Sequence, residues 1–575
     1  VAQARGETVI PSVIQYAVFI GIVLLLVQPV GSYVARVFTG ERTSLDRALL
    51  PVERALQRLF GVDSAPMTWG AYAGAFTLFT LAGTVVLLAM LCLQSWLPGP
   101  PSTDQLTTPM PADLALNTAI SFSTTTTWQA YSGETTLRYW TQLAGLTAQN
   151  FMAGAAGLAV GIAFIRGVSR ERSDDLGNFW RDLIRGLLWI LLPVSTLGSL
   201  VLVWRGVPLN FRPYTAVTTL EGMKQVIAQG PVAALEFIKN LGTNGGGFFN
   251  ANGAHPFESP SGATNFLEML AIVVLPAALT GTFGRMVDRP RVGWMLLGVM
   301  LVLFVGGILI CDRAERSSAP ALVHAGLYSP NLEGKEVRFG AGGSVLAAVV
   351  TSNAATGSYA AMHDSFMPVS VLVLSLNMLM GEIVFGGLGT GLYSILLVAL
   401  VALFLGGLMT GRTPEFLGKT LGPPEMKLVT IYSLVTPLVV MTLTALAIAT
   451  SVGRAGLTTN SGPHGLSEIL FAYASCAANN GQTLAGLSAN SWFYNATTAV
   501  AMLAGRLGLA VPALALAGLF GRQGRRPDSK GTLPMDTVLF GILTIGTAFF
   551  LAGLSFFPAL AVGPIVEHFQ IGGMR

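Results

Sequence analysis

Four short polar segments interrupt the apolar stretches of this chain. They read Ser-Thr-Thr-Thr-Thr-Trp-Gln at 123–129, Gly-Thr-Asn-Gly-Gly-Gly at 242–247, Asn-Ala-Ala-Thr-Gly-Ser at 353–358 and Ala-Asn-Asn-Gly-Gln at 478–482. Their spacing is nearly even: Thr127 to Gly245 is 118 residues, Gly245 to Gly357 is 112 and Gly357 to Gly481 is 124. Polar, irregular backbone at membrane depth is tolerated only where protein buries it or where it lines a water-filled path. Four such breaks at even spacing predict four equivalent units closed around one axis, which is what a cation selectivity filter needs.

The membrane setting follows from composition. Charged residues make up 11% and hydrophobic residues 52% of the chain, whereas a soluble domain carries about 25% charge. Apolar runs such as Val13–Val30, Phe76–Leu91, Leu183–Val203, Val292–Ile310, Ile395–Met409, Leu428–Ala449 and Val538–Val562 approach the ~20 residues that cross a bilayer core. The 67 glycines suit close helix packing and irregular backbone within a membrane. The first apolar run lacks a basic leader and a small-residue cleavage site, so a cleaved signal peptide is not expected. Cys92, Cys311 and Cys476 are far apart in or beside apolar runs and read as packing residues. A net charge of +4 is too small and dispersed to argue for nucleic acid.

The expected fold is an all-α integral membrane protein of about ten transmembrane helices, with four membrane–pore–membrane repeats around a pseudo-fourfold filter. The divisions are 1–69 (an N-terminal span and loop), 70–180, 181–290, 291–426 and 427–530 (the four pore repeats) and 531–575 (a last span). Each repeat places a short apolar segment before its polar break: Leu114–Phe122, Val232–Leu241, Val345–Val350 and Leu466–Ala477. These are too short to cross a bilayer and suit re-entrant helices. Amphipathic helices lying outside the membrane are the plain alternative.

Basic residues orient the chain. The inter-unit loops carry 20 of the 33, among them Arg166, Arg170 and Arg172, Arg285, Arg289 and Arg291, Arg412, Lys419 and Lys427, and Arg522, Arg525, Arg526 and Lys530. The positive-inside rule puts these loops in the cytoplasm. The polar breaks and both termini then face outward, as do two polar elaborations near 205–230 and 313–340.

A dehydrated cation needs oxygen ligands, and rings of backbone carbonyls supply them without full negative charge. Glycine permits the dihedrals that turn successive carbonyls one way, and a preceding half-helix aims its partial negative end at the ion. On these grounds the filter candidates are Thr125, Thr126, Thr127 and Gln129; Thr243, Asn244 and Gly245; Ala355, Thr356 and Gly357; and Asn479, Asn480 and Gly481. Thr and Asn side chains either add oxygens or brace the loop from behind. The second and fourth segments are the most specific. A glycine turn between helices is the alternative for Gly242–Asn250, and helix capping for Thr124–Thr127, a segment with no glycine.

Charges within the membrane mark function. Glu382 precedes Phe385-Gly386-Gly387-Leu388-Gly389, whose glycines should break the second span of unit three. A gate or turning point for an ion is the reading, against an interfacial Glu at a helix end. Arg506 lies deep in the span after the fourth segment, where a fixed cation under a filter would block a straight exit. A snorkelling arginine is the alternative. Arg412 is either a partner contact or a positive-inside anchor. His363 and Asp364 either shape the outer field or cap a helix. There is no Gly-x-x-x-x-Gly-Lys-Ser/Thr phosphate loop and no Asp-Lys-Thr-Gly stretch, so no catalytic residue is assigned and the chain itself is not expected to hydrolyse ATP.

Several longer stretches carry a family resemblance. They are Leu116–Phe122 with Trp128-Gln129 and Ser132–Thr136; Gly242–Asn252 followed by His255–Glu258; Met362–Phe366; Gly381-Glu382 with Phe385–Gly387; Gly411–Glu415; and Asn479–Gly481 followed by Ala485–Asn490. Over essentially its full length the chain resembles the KdpA family, potassium-binding subunits of bacterial Kdp potassium-importing ATPases. The resemblance implies a multi-pass protein of the bacterial cytoplasmic membrane with potassium at the filter and no organic cofactor. It implies as partners a P-type ATPase subunit, a small C-type subunit and a single-span peptide, and transfer of potassium from the filter to the pump subunit. The sequence departs from the family pattern at Thr125 and Thr127, where Asn is common, at Ala355-Thr356, where Ser-Cys is common, and at Ala478, where a third Asn is common. A self-sufficient potassium channel or ion-coupled secondary transporter is the competing class.

Overall fold

The computed structural model describes residues 2–573 except 64, 99, 101–105, 319–322, 324–325, 327, 410, 412–413 and 528–532; the side chains of the first eleven residues and of 572–573 are also outside the description. Arg412 and Lys530 therefore lie outside the described residues. Among the described residues, ten helices are long and apolar enough to cross a membrane. In chain order, with five of the shorter helices between them, they are α1 (Ser12–Thr39), α2 (Trp69–Cys92), α3 (Ala112–Ser123), α4 (Thr141–Ser169), α5 (Phe179–Trp204), α6 (Val232–Leu241), α7 (Gly262–Met286) and α8 (Pro290–Glu315). There follow α9 (Gly340–Asn353), α10 (Pro368–Leu379), α11 (Thr390–Met409), α12 (Pro423–Ala449), α13 (Gly462–Ala477), α14 (Trp492–Arg522) and α15 (Val538–Ile571).

Local chemistry sets these boundaries. Thr68, Ser261, Ser491 and Thr537 cap α2, α7, α14 and α15 by accepting from a backbone N–H three residues on, as N-cap residues do. The helices α3, α6, α9 and α13 are the predicted half-helices. The second matches its predicted limits, whereas α9 and α13 begin several residues earlier. Their first turns are Gly340-Ala-Gly-Gly-Ser and Gly462-Pro-His-Gly, too polar or small to register as apolar. All four are buried over most of their length, so the alternative of external amphipathic helices fails.

The predicted break in unit three is present. Helix α10 stops at Leu379 and α11 resumes at Thr390. Between them Gly381, Glu382, Phe385 and Gly389 all have left-handed φ, from 50° to 86°. This loop lies against α4. A Cβ at Gly157 would overlap the Leu388 carbonyl oxygen, and one at Gly161 would stand 2.6 Å from the Gly389 Cα. Small residues on α4 thus let irregular backbone approach. Helix α4 is the central element, with 89% of its most apolar window buried, against 22% for the peripheral α12.

On the face away from the polar segments, the inter-unit loops are pinned by charge. Arg166 at the end of α4 pairs with Asp182 at 2.5 and 2.9 Å and donates to the Phe38 carbonyl. Lys419, in a hairpin of β3 (Glu415–Phe416) and β4 (Lys419–Thr420), donates to the carbonyls of Gly167, Arg170 and Phe520. It thereby caps the ends of α4 and α14 together. On the opposite face the elaboration near 205–230 is a hairpin of β1 (Thr215–Thr218) and β2 (Lys224–Ile227). All three cysteines are free; Cys311 and Cys476 are buried and Cys92 is exposed.

Candidate functional site: a ring of four segments

Each polar segment folds back on the half-helix before it. The Asn244 N–H donates to the Lys239 carbonyl at 2.9 Å, Thr356 to Thr351 at 3.2 Å and Asn480 to Ser475 at 2.8 Å, each five residues back. In the first unit Thr127 donates to Ser121 at 3.0 Å, the counterpart of the Gly245 to Lys239 bond at 3.1 Å. One backbone motif therefore recurs in all four units.

The dihedrals repeat as well. Thr125, Thr243, Ala355 and Asn479 have φ of 66°, 49°, 48° and 53°. Two residues on, Thr127, Gly245 and Gly481 are also left-handed, at 50°, 88° and 87°, whereas Gly357 stays outside that region. Alternating left-handed residues turns successive carbonyls to the same side of a segment. Three of the left-handed residues are threonines. A β-branched residue there is an outlier that costs about 1–2 kcal/mol, so tertiary contacts must hold it.

Those contacts close a ring. Gly245 bridges Gly357 in parallel. A Cβ at Gly357 would stand 2.7 Å from the Asn480 carbonyl oxygen, and one at Gly481 would overlap that of Thr126. Thr127 Oγ1 donates to the Asn244 carbonyl at 2.5 Å. The cyclic order is one, two, three, four, with backbone against backbone at three of the joints.

Side chains brace this ring from behind. With its amide turned so that the nitrogen meets acceptors, Asn244 donates to the Asn150 and Gly242 carbonyls at 3.2 and 2.9 Å. Asn480 donates to the Thr351 carbonyl at 2.9 Å and Thr356 to that of Ala354 at 2.9 Å. Asn479 donates to Thr126 Oγ1 and the Met502 carbonyl, both at 2.9 Å. Gln129 spans both backbone groups of Gly247, accepting at 2.7 Å and donating at 3.3 Å. Of the two roles open to Thr and Asn, these residues take the second.

The ring divides two spaces. On one side Thr127, Gly246, Gly357 and Gly481 border a vestibule of about 690 Å³. On the other, Thr125, Thr243, Ala355 and Asn479 roof a cavity of about 10 Å³, room for about one water. Its floor includes Glu382, Gly387, Leu388 and Arg506. Arg506 donates to Thr125 Oγ1 at 3.1 Å and to the Ala153 carbonyl at 3.0 Å, over the Phe76 ring at 5.2 Å. That is an anchored guanidinium rather than a snorkelling one. Glu382 is buried, and its Oε1 has no partner. Gly386 packs inside the broken loop against Gly391.

Compared with known proteins, residues 17–569 match the KdpA family, described as potassium-transporting ATPase A subunit. The chain belongs to the KdpA family. A KdpA relative from Methylorubrum extorquens, a potassium-transporting ATPase potassium-binding subunit, is 50% identical over 96% of this chain and 97% of its own. Subunits of the same name from Mesorhizobium japonicum and Solibacter usitatus are 49% and 47% identical, over 96% and 97% of this chain and 97% and 98% of theirs. The KdpA fold is also similar to the crystal structure of the potassium transporter TrkH from Vibrio parahaemolyticus. There the TM-score is 0.50 with 14% identity, covering 77% of this chain and 82% of that one.

A layer behind the candidate site is not legible in the sequence. Lys239, fully buried behind the second segment, lies 2.6 Å from Glu236 Oε2, 2.6 Å from Glu258 Oε2 and 2.5 Å from Asn252 Oδ1. Asn252 in turn donates to the Gly246 carbonyl at 2.5 Å, and Glu258 Oε1 accepts from the Phe249 N–H at 2.8 Å. Burial opposes charge on Glu258, which stands in the loop after the segment, but Lys239 and the hydrogen bonds outweigh it and hold that carboxyl low. The available signal was a Glu–Lys pair three residues apart inside the apolar half-helix Val232–Leu241, a charge too costly there to be unpartnered.

Proposed function

We propose that this chain binds potassium from the vestibule side in the four-segment ring and delivers it to a P-type ATPase subunit for ATP-driven import. The observation that carries the reading is the partition: four equivalent carbonyl-bearing loops open to a wide vestibule above and to an almost closed, arginine-floored cavity below. Carbonyl ligands suit a dehydrated monovalent cation. An ion leaving the ring meets Arg506 on the straight route and the carboxylate of Glu382 beside the broken span, which favours a sideways exit. The names of the relatives supply the ion, and their place in an ATPase supplies the partner class.

In this reading the arginine-rich loops face the cytoplasm of a bacterial inner membrane, and the vestibule and both termini face outward. Thr125–Thr127, Gln129, Thr243–Gly245, Ala355–Gly357 and Asn479–Gly481 form the filter. Glu382, Gly386, Gly387 and Arg506 form the gate or exit path, and Arg412 contacts the pump. A small C-type subunit and a single-span peptide complete the assembly, and ATP hydrolysis resides in the partner.

The test is purification with partners and measurement of potassium-stimulated ATP hydrolysis. Gly245→Asp, which adds a side chain and a charge at the joint with Gly357, should raise the potassium needed for half-stimulation or admit other cations. Unchanged affinity and ion preference would remove the second segment from the filter. Sustained potassium conductance by the chain alone in liposomes would favour a self-sufficient channel instead.

A further inference from the structure

A second cluster of charged side chains lies apart from the ring, where units three and four meet the last span. His464 and Glu468 are four residues apart on α13 and so share one face. Asp364 comes from the turn after the third polar segment, and Glu567 from the end of α15. His464 Nε2 lies 2.8 Å from Asp364 Oδ1 and 3.9 Å from Glu468 Oε1. Its other nitrogen, Nδ1, lies 2.7 Å from Glu567 Oε1. Asn460 Nδ2 donates to Glu468 Oε1 at 2.6 Å and to Asp364 Oδ2 at 3.1 Å, which holds the two carboxylates together.

Two features set this cluster apart from a solvated acidic patch. The Glu468 side chain is fully buried, yet its Oε2 has no hydrogen-bond partner. Among the described residues, no Arg or Lys pairs with Asp364, Glu468 or Glu567. Three carboxylates therefore converge on one imidazole with a single possible positive charge between them. A buried carboxylate in that position either takes up a proton or pairs with a further cation.

We propose that Asp364, His464 and Glu468 form a binding site for a divalent metal ion of the zinc class. The donor atoms lie within 4.8 Å of one another, close enough for one ion at ~2.0–2.2 Å from each after small side-chain movements. One imidazole nitrogen and two carboxylates with a fourth position left to water is a zinc-type set, whereas calcium takes six to eight oxygens. Nδ1 keeps its proton toward Glu567, the carboxylate–histidine support that metal-bound imidazoles use, and an ion binding at Nε2 would displace the proton that nitrogen shares with Asp364 at 2.8 Å. Asn460 then acts as a second layer on the carboxylates. The bound ion would tie the outer end of α15 to α13 and to the loop after the third segment. His363 in that loop already bonds Gln482 of the fourth segment at 3.1 Å.

The experiment uses the intact, partner-bound protein stripped with chelator and titrated with Zn²⁺ by calorimetry, with Ca²⁺ and Mg²⁺ as comparators. One equivalent of Zn²⁺ more than in Glu468→Gln or Asp364→Asn is expected, with no matching Ca²⁺ or Mg²⁺ binding. Glu567→Gln should retain the site with affinity about 10–100-fold weaker. X-ray absorption at the zinc edge should show one imidazole and a remainder of oxygen ligands. Size-exclusion profiles identify variants that fail to fold, and Asp364→Asn is the milder replacement if Glu468→Gln does so. Equal zinc binding by wild type and both ligand variants, or none by the wild type, would overturn the proposal.

Discussion

Replacing Lys239 with methionine tests whether the charge layer behind the second segment holds the ring. Methionine keeps the length and apolar stem of lysine but removes three contacts of 2.5–2.6 Å, to Glu236, Glu258 and Asn252. All three acceptors are buried, so Glu258 must either stay charged with only the Phe249 N–H to hold it or take up a proton. Breaking a buried pair from one side costs about 3–5 kcal/mol. Asn252 also loses its anchor, and with it the fixed position of the amide that holds the Gly246 carbonyl. A loss of only about 1.4 kcal/mol at the ring is tenfold in affinity. The potassium concentration for half-maximal ATP hydrolysis should therefore rise about tenfold or more, alongside a lower thermal inactivation temperature. The double variant Lys239→Met/Glu258→Gln removes the orphaned charge and should recover at least about half of the lost stability, since removing both partners costs less than removing one. If the double variant is as damaged as the single, or if Lys239→Met leaves both readouts unchanged, the charge layer is not what positions the segment.

Three further outcomes follow from the ring and its surroundings. Gly245→Ala combines left-handed strain of about 1–2 kcal/mol with overlap on the Gly357 backbone, whereas Gly357→Ala carries only the steric part, with its Cβ 2.7 Å from the Asn480 carbonyl oxygen. Potassium titration of ATP hydrolysis should show the Gly245 variant to be the weaker by about tenfold, and equal effects would refute the dihedral assignment. Arg506→Ala should open ATP-independent potassium flux in liposomes, with Arg506→Lys leaking less; flux that stays at background in Arg506→Ala counts against the blocked exit. Burial holds the His363 pKa down at about 3, below its unfolded value of about 6.5. Its neutral form is therefore favoured above pH 6.5, and that contribution is lost as pH falls towards 3. Thermal stability should drop between pH 6.5 and 4.5 in the wild type and drop less in His363→Asn; identical acid profiles would remove His363 from the account.

The frame of the molecule was legible because period and polarity are local properties. Ten apolar runs and four evenly spaced breaks needed no tertiary information, and Val232–Leu241 appears in the structure with its predicted limits. The threonine run of the first segment was not so readable. Nothing local says that Thr125 and Thr127 take left-handed dihedrals without glycine; Asn479, Asn244 and Arg506 impose them from elsewhere in the chain. The brace by Lys239, Asn252 and Glu258 likewise depends on which loop returns behind the half-helix. Glu258 stood in a recognised motif, His255–Glu258, but its partner 19 residues earlier is visible only once the loop is folded.

Arg506 has a consequence that follows from the ring being a single chain. Four identical subunits would repeat every side chain around the axis, so a guanidinium under one quadrant would appear under all. Cations would then meet four positive charges with no way past. Here one quadrant carries Arg506 and another carries Glu382. Arg506 in one quadrant is by itself enough to make the surroundings beneath the ring lopsided rather than symmetric about the axis. Four non-identical quadrants within one chain permit a sideways bias beneath the ring that four identical subunits could not carry.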